Sequence, residues 1–383
     1  MTMKRLGIFY SGELKTGGGP SGYLYNLREA LVNYPHQIDF IFPKEKKYSF
    51  LLQILKKLAS CIPFRSIRHR VGWCLKKKHI VNCINEYPDV FAIMFHSCTD
   101  INLVNQLWKK HYIKRSQPKF LLMSHSPVLP ARELQEQADY HHEVIDFERL
   151  KKDDINALLL ADVLVAPSQN AMNSYWKELP VLLNKKKFRY ITTGCAPLKY
   201  YDKTILRQKY NIKTKFVICY VGRHWKVKGY DRLVHIASHI LQKRSDVTFL
   251  IGGEQNPAIK PLSHPRWVEL GWVDSAEVFC CSDVFLMPNR ESYFDLVIPE
   301  ALSIGLKCVL SNVGGNIDFN RMCSNIGLFS SDAEAMEMID AYLSLSEDER
   351  NRVSEELKEC YQNLFNLEKF ADSYIELSET LGK

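Results

Sequence analysis

Two segments of the chain combine glycines or cations with the start of a predicted helix, an arrangement that suits phosphate binding. The first is TGGGPSGYLYNLREAL at residues 16–31, in which Gly17, Gly18 and Gly19 precede the helix. Glycines allow a close backbone approach, and the free amides at a helix N-terminus attract an anion such as a diphosphate. The spacing matches neither common nucleotide-binding glycine motif, so a tight strand-to-helix turn without a ligand is the alternative.

The second segment, YVGRHWKVKGYDRLV at residues 220–234, places two cations on a loop between an apolar run and a helix. Arg223 offers a planar fork of donors and Lys228 a compact charge, so the pair suits the oxygens of a phosphate group. Two solvated surface cations would have the same sequence. The position of the loop after a strand, in the other half of the chain from the glycine segment, favours a binding role.

Acidic and imidazole side chains supply the remaining candidates for chemistry. PNRESYFDLVIPEALSIG at residues 288–305 places Glu291 and Glu300 nine positions apart, around an apolar run that reads as a strand-to-helix turn. His125 follows the apolar run FLLMS and is predicted to point into a binding cleft, although a lone histidine is also often a structural hydrogen-bonding residue. His96, at the end of FAIMF, is the competing histidine.

These candidates follow short apolar runs that recur along the chain. The runs alternate with amphipathic stretches, which is typical of parallel strands covered by helices on both faces. The predicted strands are residues 6–10, 38–42, 91–95, 120–124, 163–167 and 190–193 in a first series, and 216–222, 247–253, 284–288 and 308–315 in a second. We therefore expect an α/β protein with two doubly wound, Rossmann-like domains.

A chain of 383 residues is long enough for two such domains, each with its own core. The stretch near residues 195–213 is polar and lacks a strand, so we expect domains at residues 1–195 and 196–361. A predicted amphipathic helix at about residues 362–383 is expected to pack back on the first domain. Ligands of open α/β sheets bind beyond the carboxyl ends of the strands, so we expect the site in the cleft between the two domains.

The order and spacing of several motifs resemble a known enzyme family. They are VGR at 221–223 followed by a Lys-Gly pair, IGG at 251–253, GWV at 271–273, the stretch at 276–305 and SNVGGN at 311–316. Together with the glycine segment, they resemble the retaining glycosyltransferases of family 4, and the resemblance covers nearly the whole chain. It implies the GT-B fold, in which two Rossmann-like domains face each other across a cleft, the second of them binding a nucleotide sugar and the first an acceptor.

The resemblance implies roles for the residues that match the family's motifs. Arg223 and Lys228 fall at the basic pair that binds the donor diphosphate and stabilises its charge as it leaves. Glu300 matches the second glutamate of the E-x7-E signature, which holds the ribose hydroxyls of the nucleotide. The residue eight positions before Glu300 is Ser292 and not Glu291. Either the loop has one extra residue and Glu291 faces the donor sugar, or Ser292 takes that place.

Further donor-site positions follow from the same resemblance. The residues that lie in its donor-binding motifs are Gly222, Trp272, Val273, Phe294, Asp295 and Leu296. The family's Phe-Gly-Leu turn presents backbone amides to the donor sugar and phosphate. Asp295 stands where that turn has glycine, which indicates either a subfamily with its own donor or a different packing of the turn. His125 matches a histidine that contacts the donor sugar.

The activity that the resemblance implies is the transfer of a sugar from a nucleoside-diphosphate sugar to an acceptor hydroxyl, with retention of the anomeric configuration. A UDP-sugar is favoured over a GDP-sugar as the donor, and no cofactor is expected. The expected acceptor is a saccharide or lipid-linked glycan of a capsule, O-antigen or related cell-surface polysaccharide, or a glycoprotein. Two alternatives stay open, a sugar-nucleotide epimerase of the same fold and a non-catalytic partner subunit of a glycosyltransferase.

Composition excludes several other classes of protein. No apolar run is long enough for a membrane span or a signal peptide, so we expect a cytoplasmic protein. The 11 cysteines are scattered without a C-x-x-C pair, which predicts reduced thiols and neither disulfides nor a structural zinc site. No D-x-D triplet offers carboxylates for a divalent metal ion, so no metal is expected.

Residues 44–79 contain most of the excess positive charge, with eleven basic residues against one acidic residue in a chain whose net charge is +8. Phe50, Ile54 and Leu58 form an apolar face flanked by lysines, which predicts peripheral contact with an anionic membrane at the inner face of the plasma membrane. A helix that packs its apolar side on the first sheet is the alternative. No helix-turn-helix, RNP or zinc pattern accompanies the charge, so nucleic-acid binding is not expected.

Overall fold

The computed structural model of the protein describes residues 4–17, 19–42, 77–78, 80–85, 87, 89–140, 142–185, 187–256 and 259–381. Within these ranges the chain forms two separate six-stranded sheets. Each sheet has helices packed on it, as the alternation of apolar runs and amphipathic stretches predicts. We call the first sheet with its helices the first half of the molecule, and the second sheet with its helices the second half.

The first half contains β1 (Lys4–Phe9), α1 (Gly19–Asn33), β2 (Ile38–Ile41), β3 (Ala92–Phe95), α2 (Cys98–Lys109), β4 (Lys119–Leu122), α3 (Pro130–Tyr140), α4 (Phe147–Leu160), β5 (Val163–Ala166), α5 (Asn173–Glu178), α6 (Val181–Lys185) and β6 (Lys187–Tyr190). The second half contains α7 (Lys203–Lys209), β7 (Phe216–Val221), α8 (Tyr230–Lys243), β8 (Val247–Gly252), β9 (Trp267–Gly271), α9 (Ser275–Cys281), β10 (Val284–Met287), α10 (Val297–Ser303), β11 (Lys307–Ser311), α11 (Gly315–Met322), β12 (Gly327–Phe329), α12 (Asp332–Ser344) and α13 (Glu347–Leu364). The final helix is α14 (Leu367–Leu381).

All neighbouring strands in both sheets pair in parallel. The strand order is β2-β1-β3-β4-β5-β6 in the first sheet and β12-β11-β10-β7-β8-β9 in the second. The order turns back at β1 and β3 in the first sheet and at β7 and β10 in the second. A crevice opens at such a point beyond the carboxyl ends of the strands, where a ligand of this class of sheet binds.

The predicted α/β architecture with two doubly wound units is confirmed, and the differences concern edge strands. The predicted strand at 190–193 lies at Lys187–Tyr190, while β9 and β12 were not predicted at all. All three lie at sheet edges and are mostly half-exposed or exposed. Strands of this kind lack the continuous apolar run that marks a strand buried on both faces, so their sequences resemble those of loops.

The final helix α14 packs against α1 of the first half. Tyr374 of α14 and Tyr23 of α1 lie within hydrogen-bond distance through their hydroxyls, at 3.0 Å. Phe370, Tyr374 and Leu377 are buried in the hydrophobic core of the first sheet. The apolar face predicted for this helix is therefore the face that packs on the first half. The domain boundaries at residues 195 and 361 stay predictions.

The prediction that all cysteines are reduced is wrong for one pair. Cys323, which follows α11, and Cys360 of α13 form a disulfide bond, with their Cα atoms 6.1 Å apart. Packing of α13 beside the end of α11 brings together two residues that are 37 positions apart, a proximity that sequence spacing does not indicate. The other cysteines of the described residues are free and buried.

No helix among the described residues is long and apolar enough to cross a membrane. The basic, amphipathic segment predicted at residues 44–79 lies outside the described residues, apart from residues 77 and 78. The prediction of peripheral membrane contact therefore stays a prediction.

Candidate functional site

Loops at the carboxyl ends of the second sheet pack on one another through glycine backbones. The amide of Gly222, after β7, donates to the carbonyl of Gly252 in β8 at 3.0 Å. A Cβ atom on Gly229 would lie 1.8 Å from the carbonyl oxygen of Pro288, after β10, and Gly229 has a positive φ of 67°. The backbones that follow β7 and β10 therefore meet at one edge of the sheet, and they approach so closely that no residue larger than glycine fits at position 229.

The glycine segment forms the turn between β1 and α1. Gly17 has a φ of 119° and Gly19 a φ of 71°, both in the region that favours glycine. A Cβ atom on either residue would meet nothing within 4 Å, whereas one on Gly22 would lie 1.4 Å from the Gly17 carbonyl oxygen. The turn is thus folded tightly onto the first turn of α1 and has open space on its outer side. Gly18 lies outside the described residues.

Lys228 and Asp295 form an ion pair where the loops after β7 and β10 meet. Lys228 Nζ lies 2.5 Å from Asp295 Oδ1, and the two side chains are only 15% and 19% exposed. The second carboxylate oxygen, Oδ2, accepts hydrogen bonds from Asn289 Nδ2 at 2.8 Å and from Ser292 Oγ at 3.1 Å. The residue in the family's glycine position therefore holds the lysine in place.

Arg223 faces a shallow cleft between the two halves. The walls of this small, open cleft are Arg223, Trp225 and Val227 on one side and Glu133, Glu136 and Gln137 of α3 on the other. None of the residues that the structure describes forms an ion pair with Arg223. The guanidinium is therefore available to an anionic ligand in this cleft.

Glu291 and Ser292 have different surroundings. Glu291 Oε2 accepts a hydrogen bond of 2.6 Å from Ser174 Oγ on α5 of the first half. Ser292 is 2% exposed, and its hydroxyl lies 2.9 Å from Asn316 Oδ1 as well as next to Asp295. Glu291 thus reaches across to the first half, while Ser292 is buried within the second half and its hydroxyl is occupied.

Glu300 lies in α10, beside the loop that follows β9. Ser275 Oγ donates a hydrogen bond to Glu300 Oε2 at 3.2 Å. Burial raises the pKa of Glu300 to about 7, the Ser275 hydrogen bond opposes that rise, and the charge of Asp274 adds to it. On the same loop Trp272 is 84% exposed and Val273 is partly buried. The Glu300 carboxyl therefore contacts a residue three positions after the exposed indole of Trp272.

His125 and His96 form a hydrogen-bonded pair after β4 and β3. His96 Nδ1 lies 2.7 Å from His125 Nε2, and the rings stack with their centroids 5.0 Å apart. Burial lowers the pKa of His125 to about 3 and that of His96 well below its usual range, so both rings are neutral at neutral pH. His125 has a positive φ of 59°, and Tyr23 meets it edge-on at 4.6 Å. The two histidines, which the sequence offered as alternative site residues, are therefore in direct contact with each other.

Phe294 and Leu296 contribute packing more than polar contacts. Phe294 is 7% exposed and lies 4.0 Å from Phe319, measured between ring centroids, so a ligand would meet its backbone. Leu296 is partly buried and packs against the core of the first sheet. No group of three or more His, Cys, Asp or Glu residues suited to a metal ion occurs in the described part of the chain.

Contacts between the two halves involve residues that the sequence analysis missed. The Asp318 carboxylate on α11 accepts hydrogen bonds from the Asn170 amide at 2.9 Å and from Asn170 Nδ2 at 2.7 Å. Ser174 donates to Glu291, and Tyr293 lies in the core of the first sheet. No periodicity or motif marks these residues. The hydrogen bonds join residues more than a hundred positions apart, and Tyr293 packs in the core of the other half.

The part of the second half that carries these loops matches a known protein family. Residues 215–348 match the family model described as Glycosyl transferases group 1. This segment is a group 1 glycosyltransferase domain. The resemblance to glycosyltransferases is confirmed at this level, and the narrower assignment to family 4 stays a prediction.

Curated relatives of the chain include two from Escherichia coli. The O-antigen biosynthesis glycosyltransferase WclY is 26% identical over 231 residues, which are 56% of this chain and 61% of WclY. The UDP-Gal:alpha-D-GlcNAc-diphosphoundecaprenol alpha-1,3-galactosyltransferase is 28% identical over 184 residues, which are 43% of this chain and 46% of that protein. The chain thus spans about half the length of the curated relatives it matches.

Solved structures resemble the whole chain beyond the glycosyltransferase domain. Sucrose-phosphate synthase from Thermosynechococcus elongatus has a TM-score of 0.67 at 17% identity, covering 99% of both chains. HepE from Anabaena, in complex with UDP-glucose, has a TM-score of 0.63 at 15% identity and the same coverage. At these identities the likeness concerns the fold, and the predicted GT-B fold is confirmed.

Proposed function

We propose that this chain is a retaining glycosyltransferase that moves a sugar from a nucleoside-diphosphate sugar to an acceptor hydroxyl. The observation that carries the proposal is that loops of the group 1 glycosyltransferase domain bring Arg223 and the Lys228–Asp295 pair to one sheet edge, beside a cleft between the two halves. The proposed donor is a UDP-sugar, with support from the UDP-glucose complex of HepE. The O-antigen and diphosphoundecaprenol relatives support a saccharide or lipid-linked acceptor in cell-surface polysaccharide synthesis.

Electrostatic stabilisation of the leaving group supplies the main catalytic effect in this proposal. Arg223, Lys228 and the amides of Gly17 and Gly19 stabilise the diphosphate, whose negative charge grows as its bond to the anomeric carbon breaks. The acceptor oxygen bonds to the anomeric carbon on the same face, and its proton passes to the leaving phosphate oxygen. The two cations neutralise the departing charge, so the proposed step uses no metal ion.

Recognition of the donor is divided between the two halves in this proposal. Glu300 accepts hydrogen bonds from the ribose hydroxyls, and the exposed indole of Trp272 lies against the base. Glu291 takes the place that faces the donor sugar, because its carboxylate reaches the first half, whereas Ser292 is buried. The neutral imidazole of His125 meets a sugar hydroxyl from the first half.

A donor panel tests the proposed function. The thermal unfolding midpoint of the protein is measured with UDP, GDP and their common sugar derivatives, followed by product analysis with the donor that raises it. A glycosyltransferase releases free nucleoside diphosphate in step with transfer to an added acceptor. An epimerase changes the donor sugar without an acceptor, and a non-catalytic subunit shows no shift with any donor. Either of the last two results overturns the proposal.

We further propose peripheral membrane contact for residues 44–79, which fits a lipid-linked acceptor at the cytoplasmic face of the membrane. Eleven basic residues in this segment would meet anionic headgroups. Co-sedimentation with phosphatidylglycerol vesicles, and its loss with neutral phosphatidylcholine vesicles or in high salt, is the expected result. Equal sedimentation with both kinds of vesicle would contradict an electrostatic contact.

A further inference from the structure

Tyr293 and Phe294 are consecutive aromatic residues that enter different cores. Both belong to the loop between β10 and α10 of the second half, and each is 7% exposed. Phe294 lies in the core of the second half, 4.0 Å from Phe319 between ring centroids. Tyr293 lies in the core of the first sheet, with residues of the first half and of α14. The loop is therefore held by one aromatic ring in each half.

The backbone of this loop is fixed to the second half on either side of Tyr293. The Ser292 carbonyl accepts the Gly315 amide at 3.0 Å, and the Ser292 hydroxyl lies 2.9 Å from Asn316 Oδ1. A Cβ atom on Gly315 would lie 2.0 Å from the Tyr293 carbonyl oxygen, so α11 begins in direct backbone contact with the loop. Separation of the two halves would therefore withdraw the Tyr293 ring from the core of the first sheet, because the loop that holds the ring is bound to α11 of the second half.

The position of the Tyr293 ring connects two groups that the proposed function uses. Tyr293 and Tyr23 are both buried in the hydrophobic core of the first sheet. Tyr23 in turn meets the His125 ring edge-on at 4.6 Å. Two positions before Tyr293, the Glu291 carboxylate accepts the Ser174 hydroxyl of the first half at 2.6 Å. The ring of the glutamate loop thus enters the same core as Tyr23, which contacts the histidine.

The loop that contains Tyr293 is also where the spacing of the two glutamates departs from the signature. Glu291 and Glu300 are nine positions apart, one more than in the E-x7-E signature, while Phe294 keeps its place before Asp295 and Leu296. If Glu291 and Phe294 retain their positions in the motif, the additional residue is one of the two that lie between them, Ser292 or Tyr293. The longer loop then has its extra residue beside the contact that crosses between the halves.

We propose that Tyr293 is a positioning residue that fastens the Glu291 loop of the second half to the first half and so sets the distance between Glu291 and His125 across the cleft. The ring acts through burial of its apolar surface, so phenylalanine should replace it. The inference rests on the proposed function for its catalytic consequence. The fastening itself is a property of the fold and can be measured without any substrate.

The test compares Tyr293→Ala, Tyr293→Phe and the matched control Tyr342→Ala. Tyr342 is 8% exposed in a core confined to the second half, so its truncation also removes a buried tyrosine ring but no contact between the halves. Small-angle X-ray scattering gives the radius of gyration of each unliganded variant. Titration with UDP gives the dissociation constant, and slow hydrolysis of UDP-glucose, with water as acceptor, gives kcat and KM.

We expect Tyr293→Ala to increase the radius of gyration and to lower kcat at least about tenfold, while the dissociation constant of UDP changes less than about threefold, because both cations proposed for the diphosphate, Arg223 and Lys228, lie in the second half. Tyr293→Phe should retain the wild-type values. A Tyr293→Ala variant with wild-type scattering, or a Tyr342→Ala variant with the same kcat loss, would overturn the inference. If wild-type protein binds no nucleotide donor, the proposed function fails, and scattering alone still decides whether Tyr293 fastens the halves.

Discussion

Replacement of Glu300 by glutamine tests the most strongly shifted carboxyl of the proposed donor site. The pKa of Glu300 is about 7 in the folded protein, against an ordinary value of 4.5. Each pKa unit corresponds to about 1.4 kcal/mol, so this difference corresponds to about 3 kcal/mol of folding free energy. The physical reason is burial, which disfavours the charged carboxylate and is only partly offset by the Ser275 hydrogen bond.

The sign of the effect follows from proton binding. Well below pH 4.5 the Glu300 carboxyl is mostly protonated in both the folded and the unfolded chain, so Glu300→Gln should have little effect there. Between pH 4.5 and about 7 the folded chain binds more protons than the unfolded one, so wild-type stability falls as pH rises. Above pH 7, Glu300→Gln should therefore be more stable than wild type by up to about 3 kcal/mol.

Donor binding should show the opposite dependence on the same carboxyl. Ribose hydroxyls donate to the ionised form, so the affinity of wild type for UDP-glucose should rise with pH, by up to about tenfold per unit, until about pH 7. UDP-glucose is the suitable probe because its diphosphate diester does not titrate in this range. Glu300→Gln should bind it more weakly and without this pH dependence.

Urea unfolding at pH 5 and pH 8.5 measures the stability difference, and isothermal titration calorimetry across the same range measures binding. Glu379→Gln is the matched control, because Glu379 is exposed on α14. Equal stability of wild type and Glu300→Gln at pH 8.5, or an affinity of wild type that does not change between pH 5 and 7, would refute the reasoning. A gain in stability together with a loss of binding would support both the buried carboxyl and its role.

Three other predictions concern charge and covalent structure. Arg223→Ala should lower sugar transfer at least about tenfold, because it removes a cation of the cleft that forms no ion pair with the described residues, and a smaller effect would contradict its role. Asp295→Asn should tighten UDP-glucose binding about fivefold in calorimetry, because it removes the anion that neutralises a partly buried lysine; unchanged or weaker binding would contradict this. Thiol titration of the unfolded chain should find nine thiols without reductant and eleven after reduction, and eleven in both cases would exclude the Cys323–Cys360 bond.

The interior strands could be predicted from the sequence because their surroundings are simple. A strand covered on both faces needs a continuous apolar run, and β7, β8 and β10 consist almost entirely of buried residues. The turns at their ends could be predicted for the same reason, since polar residues and glycines interrupt the run. Edge strands such as β9 meet protein on one side and solvent on the other, so their composition is mixed and no apolar run marks them.

The pairing of side chains could not be predicted in this way. Lys228 and Asp295 are 67 positions apart, and both were predicted near a phosphate without any indication that they contact each other. The choice between Glu291 and Ser292 likewise depends on burial and on Ser174, a residue 117 positions from Glu291. Spacing along the chain allowed both assignments. Ser292 lies at the usual eight positions before Glu300, and Glu291 fits if the loop has one extra residue.

The sequence alone was enough to predict the α/β class, the positions of the core strands along the chain and the group of enzymes that the second half resembles, because apolar periodicity and short motifs are local properties of the chain. Only the tertiary structure decided that His96 and His125 form a pair, that two cysteines are bonded and that Tyr293 enters the core of the other half. Each of these depends on distances between segments remote in sequence, which arise when helices and strands pack and which no local pattern encodes.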